Sequence, residues 1–152
     1  MDLKARLKSD LTDAMRARDA TVTATLRMIL TSVTKAEVGG KVQTSLSDDQ
    51  VIEVLQAEAK RRSDAAELYD AGNRPELAAK ERAEADVIVR YLPAAMTDEE
   101  LDVVVAEEVA LANQAGTMGP NAMGAVIKAV RARTGATATG GRVAAAVKTA
   151  LS

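Results

Sequence analysis

The segment from Tyr91 to Leu101 constrains the fold of this chain more than any other. Pro93 lacks a backbone N–H and disfavours a helical conformation at Leu92, so a helix that arrives from the N-terminal side should end here. Four residues further on, Thr97 and Glu100 have the spacing of a capping box, in which each side chain accepts a hydrogen bond from the other residue's backbone N–H. This stop and restart predicts a division into two domains, residues 1–93 and residues 94–152.

The rest of the sequence predicts an all-α protein. The chain of 152 residues is rich in strong helix formers and contains no Phe or Trp, and no segment alternates apolar and polar residues as a strand would. Seven helices are expected. Four form an elongated antiparallel bundle in residues 1–93, the third of them carrying Leu68 on its apolar face and the fourth running from Pro75 to Leu92. Three shorter helices, the second starting at Pro120, form a compact C-terminal unit.

The composition excludes several function classes. The chain has no Cys and no His, which removes thiolate chemistry, the commonest general base and the commonest transition-metal ligand. Glu81 and Glu84 lie one turn apart, but without His or a second carboxylate motif we expect no metal site and no cofactor. The first residues lack the apolar core of a signal peptide, and no apolar run has the length to span a bilayer, so we expect a cytoplasmic protein without membrane contact.

The charge pattern singles out the C-terminal helices. The net charge is only −2, yet residues 98–108 carry six acidic side chains and no basic one, whereas residues 117–152 carry five basic side chains and no acidic one. A basic surface of this kind, beside the glycine-rich turn at Gly135–Gly141, suits a phosphate backbone. The alternative is a solvated surface that balances the acidic fifth helix. The candidate RNA-binding residues are Lys128, Arg131, Arg133, Arg142 and Lys148.

A second basic cluster lies in the third helix, at Lys60, Arg61 and Arg62. Three consecutive helical residues point in nearly three directions, so they cannot all face one ligand. The favoured interpretation is therefore a set of salt bridges to neighbouring helices, with phosphate binding as the alternative. In the second helix, Arg27 follows Leu26 on the apolar face and is expected to be partly buried, paired with Glu81 or Glu84.

Several stretches together resemble the GatB/YqeY family, and they occur in order along nearly the whole chain. They are Leu26–Leu30, Val51–Gln56, Lys60–Ser63, Tyr69–Ala78, Glu84–Pro93, Met123–Val126 and Gly140–Lys148. The resemblance implies a helical N-terminal bundle and a three-helix tail similar to the C-terminus of the glutamyl-/aspartyl-tRNA amidotransferase B subunit, a tail that contacts tRNA. One departure lies before the last helix, where the family often has Ala-Asp-Gly and this chain has Ala138-Thr139-Gly140; Thr139 should still cap the helix.

The family is associated with carbon–nitrogen ligase activity that uses glutamine as the amide donor. In the amidotransferase, however, amide transfer and ammonia production occur in other domains, and this chain has neither a Cys nucleophile, an amidase signature nor a nucleotide-binding loop. We therefore expect a non-catalytic, tRNA-associated binding or adaptor module without autonomous activity, with tRNA and a protein of tRNA metabolism as candidate partners. The alternative is a protein-interaction module that never meets RNA.

Overall fold

The computed structural model describes all 152 residues and contains seven α-helices, two short 3₁₀ helices and no strand. The predicted all-α class and the predicted number of helices are confirmed. The chain divides into two compact units, Met1–Leu92 and Pro93–Ser152. Unit 1 contains α1 (Leu3–Arg16), α2 (Ala20–Val38), α3 (Asp48–Ala71) and α4 (Pro75–Val89). Unit 2 contains α5 (Asp98–Gln114), α6 (Met123–Thr134) and α7 (Gly140–Leu151), with 3₁₀ turns at Gly119–Ala122 and Gly135–Thr137.

Local sequence signals set most of the helix starts. Ser47 with Gln50 and Thr97 with Glu100 form complete capping boxes at α3 and α5. The side chain of Thr139 accepts a hydrogen bond from the backbone N–H of Arg142 at the start of α7, as expected for a residue that replaces an acidic cap. Each of these contacts joins residues three apart, which is why the amino-acid sequence alone predicts them.

The core of unit 1 lies where α1 and α2 pack against the N-terminal half of α3 and the C-terminal half of α4. Its fully buried side chains are aliphatic, and they are Leu7, Leu26, Ile29, Val33, Val51, Leu55, Val87 and Ile88. Toward the α3–α4 turn, the two helices bury mainly small side chains against each other, such as Ala66 and Ala78. The turn itself places Asn73 in the left-handed region, at a φ of 57°.

Three expectations for the helices are wrong. Leu68 is 74% exposed, because it lies in the half of α3 that contributes no side chain to the core cluster. α4 has only 15 residues and ends at Val89, because the chain tightens before Pro93 into i→i+3 hydrogen bonds from Tyr91 and Leu92. Pro120 lies in a 3₁₀ turn, and α6 begins three residues later.

Unit 2 has its own aliphatic core, to which α5, α6 and α7 all contribute. The buried members are Leu101, Val105, Ala122, Val126, Val130, Ala138, Val143 and Val147. Their spacing of three or four residues along each helix leaves the intervening side chains at the surface, and these include the basic residues of α6 and α7. None of the helices in either unit combines the length and the apolar character needed to cross a membrane.

Candidate nucleic-acid interface

Two of the five predicted RNA-binding side chains are already paired with acidic groups of α5. The guanidinium of Arg133 donates to Glu107 at 2.7 Å and to Glu108 at 3.2 Å, and these hydrogen bonds raise the pKa of Arg133. Arg142 donates to Asp98 and to the backbone carbonyl of Met96, each at 2.8 Å. Since both guanidinium groups hold α5 against the basic helices, they also contribute to the fold of unit 2.

The other three cations have no acidic partner. Lys128, Arg131 and Lys148 are exposed, and no carboxylate lies within salt-bridge distance of any of them. Lys128 and Arg131 are three residues apart on α6, so they lie on neighbouring turns of the same side of the helix. These three side chains, which we call the open cations, are the part of the predicted site that is free to meet a ligand.

The guanidinium of Arg131 lies beside the N-terminus of α7. A Cβ built on Gly140 would be 3.9 Å from its Cζ atom, and Gly140 is the first residue of α7. The first backbone N–H groups of a helix have no intrahelical partner and carry a partial positive charge. Lys148 follows Gly140 by eight residues, so it lies about 12 Å further along α7 and roughly 80° around the helix from the side that Arg131 approaches.

The second basic cluster does not form a common surface. Lys60 is exposed and pairs with Asp64 at 3.0 Å, and Arg61 is exposed and reaches Glu58 at 3.0 Å. Arg62 is only 4% exposed, and its guanidinium contacts Glu58 at 2.8 Å and Glu84 of α4 at 3.1 Å. The geometry therefore agrees with ion pairing, partly between helices, and it leaves Arg62 inaccessible to a phosphate.

Arg62 has the buried environment and the pairing with Glu84 that were predicted for Arg27. Arg27 is exposed, and its guanidinium lies 3.8 Å from the sulphur of Met15, so the predicted pairing with Glu81 or Glu84 is wrong. Glu84 is held instead by Arg62 of α3. The i, i+4 spacing of Glu58 and Arg62 is a local signal for the pair that these two residues form, but it does not predict the contact with Glu84. Nowhere in the chain do three or more acidic side chains gather closely enough to hold a metal ion.

Comparison with known proteins assigns the family. Residues 4–151 match the Yqey-like protein family. The chain belongs to this family. It is also 30% identical over 92 residues to an uncharacterized protein of Schizosaccharomyces pombe, a match that covers 60% of this chain and 73% of the relative.

Two further relatives carry the name altered inheritance of mitochondria protein 41, mitochondrial. The protein of Candida glabrata is 29% identical over 103 residues, covering 68% of this chain and 53% of the relative. The protein of Clavispora lusitaniae is 34% identical over 102 residues, covering 65% of this chain and 58% of the relative. The chain thus matches a little over half the length of these relatives. Their names place them in mitochondria, so the cytoplasmic location expected for this chain stays a prediction.

Proposed function

We propose that this protein is a non-catalytic, tRNA-associated binding or adaptor module, whose α6–α7 face contacts the phosphate backbone of folded RNA. The observation that carries the proposal is the group of open cations, Lys128, Arg131 and Lys148, in a stretch of 36 residues without an acidic side chain. The first N–H groups of α7, which lie beside the guanidinium of Arg131, add a second source of positive potential. The resemblance to the amidotransferase tail supplies the class of RNA.

Only some of the five predicted side chains are free to bind a phosphate. Arg133 and Arg142 already face carboxylates, so a phosphate would have to compete with Glu107, Glu108 and Asp98 for them. No carboxylate competes with a phosphate for the open cations. We therefore assign the phosphate contacts to the open cations, and we assign Arg133 and Arg142 mainly to the packing of α5.

Three phosphate contacts would give weak, salt-dependent binding. Each contact releases condensed counterions, so the logarithm of the affinity should fall with the logarithm of the salt concentration with a slope of roughly −2 to −3. The dissociation constant should lie near the ~10⁻⁴–10⁻⁶ M of sequence-independent binding. Unit 2 contains no aromatic residue on which an unpaired base would stack, which favours folded RNA over single strands.

The test compares two triple variants that remove the same charge. Changing Lys128, Arg131 and Lys148 together to Ala should lower tRNA affinity at least tenfold and flatten its salt dependence. A control variant changes Lys35, Lys41 and Lys80 to Ala; these side chains are exposed and lie in unit 1. The control should retain affinity within about twofold, and far-UV circular dichroism should be unchanged in both. Equal affinity for tRNA in the two variants would contradict the proposal and favour the protein-interaction alternative.

We also propose that the chain has no ligase or glutaminase activity of its own, and that any link to carbon–nitrogen ligase chemistry is through participation in a larger system. The proposal rests on the residue types present, since the chain has neither Cys nor His to act as nucleophile or base in glutamine hydrolysis. Purified protein incubated with glutamine, ATP and tRNA should release no ammonia above a control without protein. Ammonia release that a point substitution in this chain abolishes would refute it.

A further inference from the structure

A shallow groove of about 650 Å³ lies on unit 2, on the side of α5 that carries Val103 and Val104. Ala94, Ala95 and Met96, which precede α5, form one wall, and Thr137 also lines the groove. The surface of the groove is mostly apolar, and Val103 within it is 58% exposed. The volume of the groove falls within the range of ligand-binding clefts in proteins, roughly 300–1,000 Å³.

The wall of the groove is held in place by hydrogen bonds within unit 2. The backbone N–H of Met96 donates to the carbonyl of Thr137 at 2.7 Å, and Arg142 donates to the carbonyl of Met96 at 2.8 Å. Thr97 and Glu100 cap α5 immediately afterwards. Because the segment before α5 is fixed in this way, a ligand would not have to order it, and binding would lose less conformational entropy.

Two unpaired carboxylates lie at the edge of the groove, beside the ion pair of Asp98 and Arg142. Glu100 lines the groove, and Glu99 and Glu100 lie four residues before Val103 and Val104 on α5. Neither Glu99 nor Glu100 has a basic partner, although Glu100 accepts the N–H of Thr97. At the other end of the apolar pair, Glu107 and Glu108 share Arg133, which offsets one of their two negative charges. The carboxylates without a basic partner therefore lie at the N-terminal end of the groove.

We infer that this groove is a docking site for a short, basic, amphipathic segment of a partner protein. Apolar side chains of the segment would cover Val103, Val104 and Ala95, and Lys or Arg side chains would lie near Glu99 and Glu100. A basic segment is favoured because its positive charges would complement the carboxylates of Glu99 and Glu100. The same carboxylates disfavour a phosphate backbone and an anionic lipid surface, so the groove is distinct in chemistry from the open cations. The inference goes beyond the proposed RNA contact and does not depend on it.

Selection from a displayed library of random 15-residue peptides, with the full chain as bait, tests the inference. The expected winners carry a net positive charge and apolar residues at helical spacing, and they bind in fluorescence anisotropy with an affinity that falls as salt rises. Val103→Gln should weaken the best synthetic peptide at least fivefold. Glu99→Lys should weaken it at least threefold and reduce its salt dependence. No enrichment, or enrichment of peptides without positive charge, would overturn the inference.

Two controls keep the result specific to the groove. Leu111→Gln changes a side chain on the same helix that is 56% exposed and does not line the groove, so it should leave the affinity within twofold. If Val103→Gln alters the circular dichroism spectrum, Ala95→Gln replaces it, because Ala95 is exposed and lies outside any helix. Peptide binding that survives Val103→Gln or Ala95→Gln in a folded chain would contradict the inference.

The readouts separate this inference from the proposed RNA contact. Val103→Gln should leave tRNA affinity unchanged, and the triple variant of Lys128, Arg131 and Lys148 should leave peptide affinity unchanged. Failure of one set of expectations therefore says nothing against the other. Peptide affinity that falls in the triple variant of the open cations would overturn the docking inference, because it would place the peptide on those side chains and not in the groove.

Discussion

Replacing Arg62 by Met should destabilise unit 1 strongly, because it leaves two carboxylates buried without their shared partner. Arg62 is 4% exposed, and the side chains of Glu58 and Glu84 are 8% and 10% exposed. Removing one partner of a buried ion pair costs about 3–5 kcal/mol. Glu58 would keep hydrogen bonds from Ser32 and Arg61, each at 3.0 Å, whereas Glu84 would keep no ion-pair partner. We therefore expect the lower end of that range, about 3 kcal/mol.

Urea titration followed by tyrosine fluorescence measures this loss in unit 1 alone. The chain has only two aromatic residues, Tyr69 and Tyr91, and both belong to unit 1. With a denaturant dependence of about 1–2 kcal/mol per molar urea, a loss of about 3 kcal/mol lowers the midpoint by roughly 1.5–3 M. Lys60→Met is the matched control, because Lys60 is 77% exposed and its pair with Asp64 should be worth under about 1 kcal/mol.

The pH dependence of the loss identifies its cause. Burial raises the pKa of Glu58, but hydrogen bonds from Arg62 and Ser32 outweigh it, so its pKa is lowered. A lowered pKa stabilises the native protein above the pKa of the unfolded chain, about 4.5, and this stability is lost only as the pH falls below that value. The native protein should therefore keep this contribution between pH 7 and pH 5. In the variant Glu58 loses the hydrogen bond from Arg62 while burial still raises its pKa, so its carboxyl group should bind a proton more readily in this range.

The difference in the free energy of unfolding between native protein and Arg62→Met should therefore shrink from pH 7 to pH 5. Adding Glu84→Gln to Arg62→Met should recover part of the stability at pH 7, since it removes the charge that has lost its partner. A loss below 1 kcal/mol, or a loss independent of pH, would refute the argument that buried unpaired charge is the cause.

Three further predictions concern other parts of the chain. Tyr91→Phe removes the hydrogen bond that the phenol donates to Asp10 at 2.6 Å, and urea titration should show a loss of about 1–2 kcal/mol in the stability of unit 1. Burial and this hydrogen bond raise the pKa of Tyr91. The stabilisation should therefore be present below about pH 10 and be lost as the pH rises further. Gly135→Ala should lower the stability of unit 2 by about 1–3 kcal/mol, because Gly135 has a φ of 52°, which residues with a Cβ disfavour. The added Cβ would have no atom within 4 Å, so the cost would come from the backbone conformation alone. An unchanged melting temperature would contradict this. Limited proteolysis should cut first within residues 92–98 or 39–46 if the predicted domains fold separately, and resistance at both places with cleavage elsewhere would count against that division.

The sequence alone predicted the features that depend on residues within one helical turn of each other. The capping residues Ser47, Thr97 and Thr139 accept hydrogen bonds from N–H groups three residues away, so the helix starts follow without knowledge of the fold. The period of the aliphatic residues likewise predicted seven helices with one buried face each. The basic character of α6 and α7 is a property of composition and was equally visible.

Tertiary structure decided which charged side chains remain open. Whether Arg27 or Arg62 holds Glu84 depends on how α2, α3 and α4 are rotated about their axes, which no local pattern specifies. The exposure of Leu68 depends on where along α3 the other helices stop packing.

The same holds for the candidate interface. The sequence predicted five RNA-binding side chains, Lys128, Arg131, Arg133, Arg142 and Lys148. Only the packing of α5 against α6 and α7 determines which of them are paired with acidic groups. Arg133 donates to carboxylates of α5, and Arg142 donates to Asp98 of α5 and to the backbone carbonyl of Met96 just before it. The other three side chains have no such partner. An ion pair forms between side chains brought within 4 Å by the fold, so the sequence determines how many charges a surface has, and the packing of the helices determines which of them are available to a ligand.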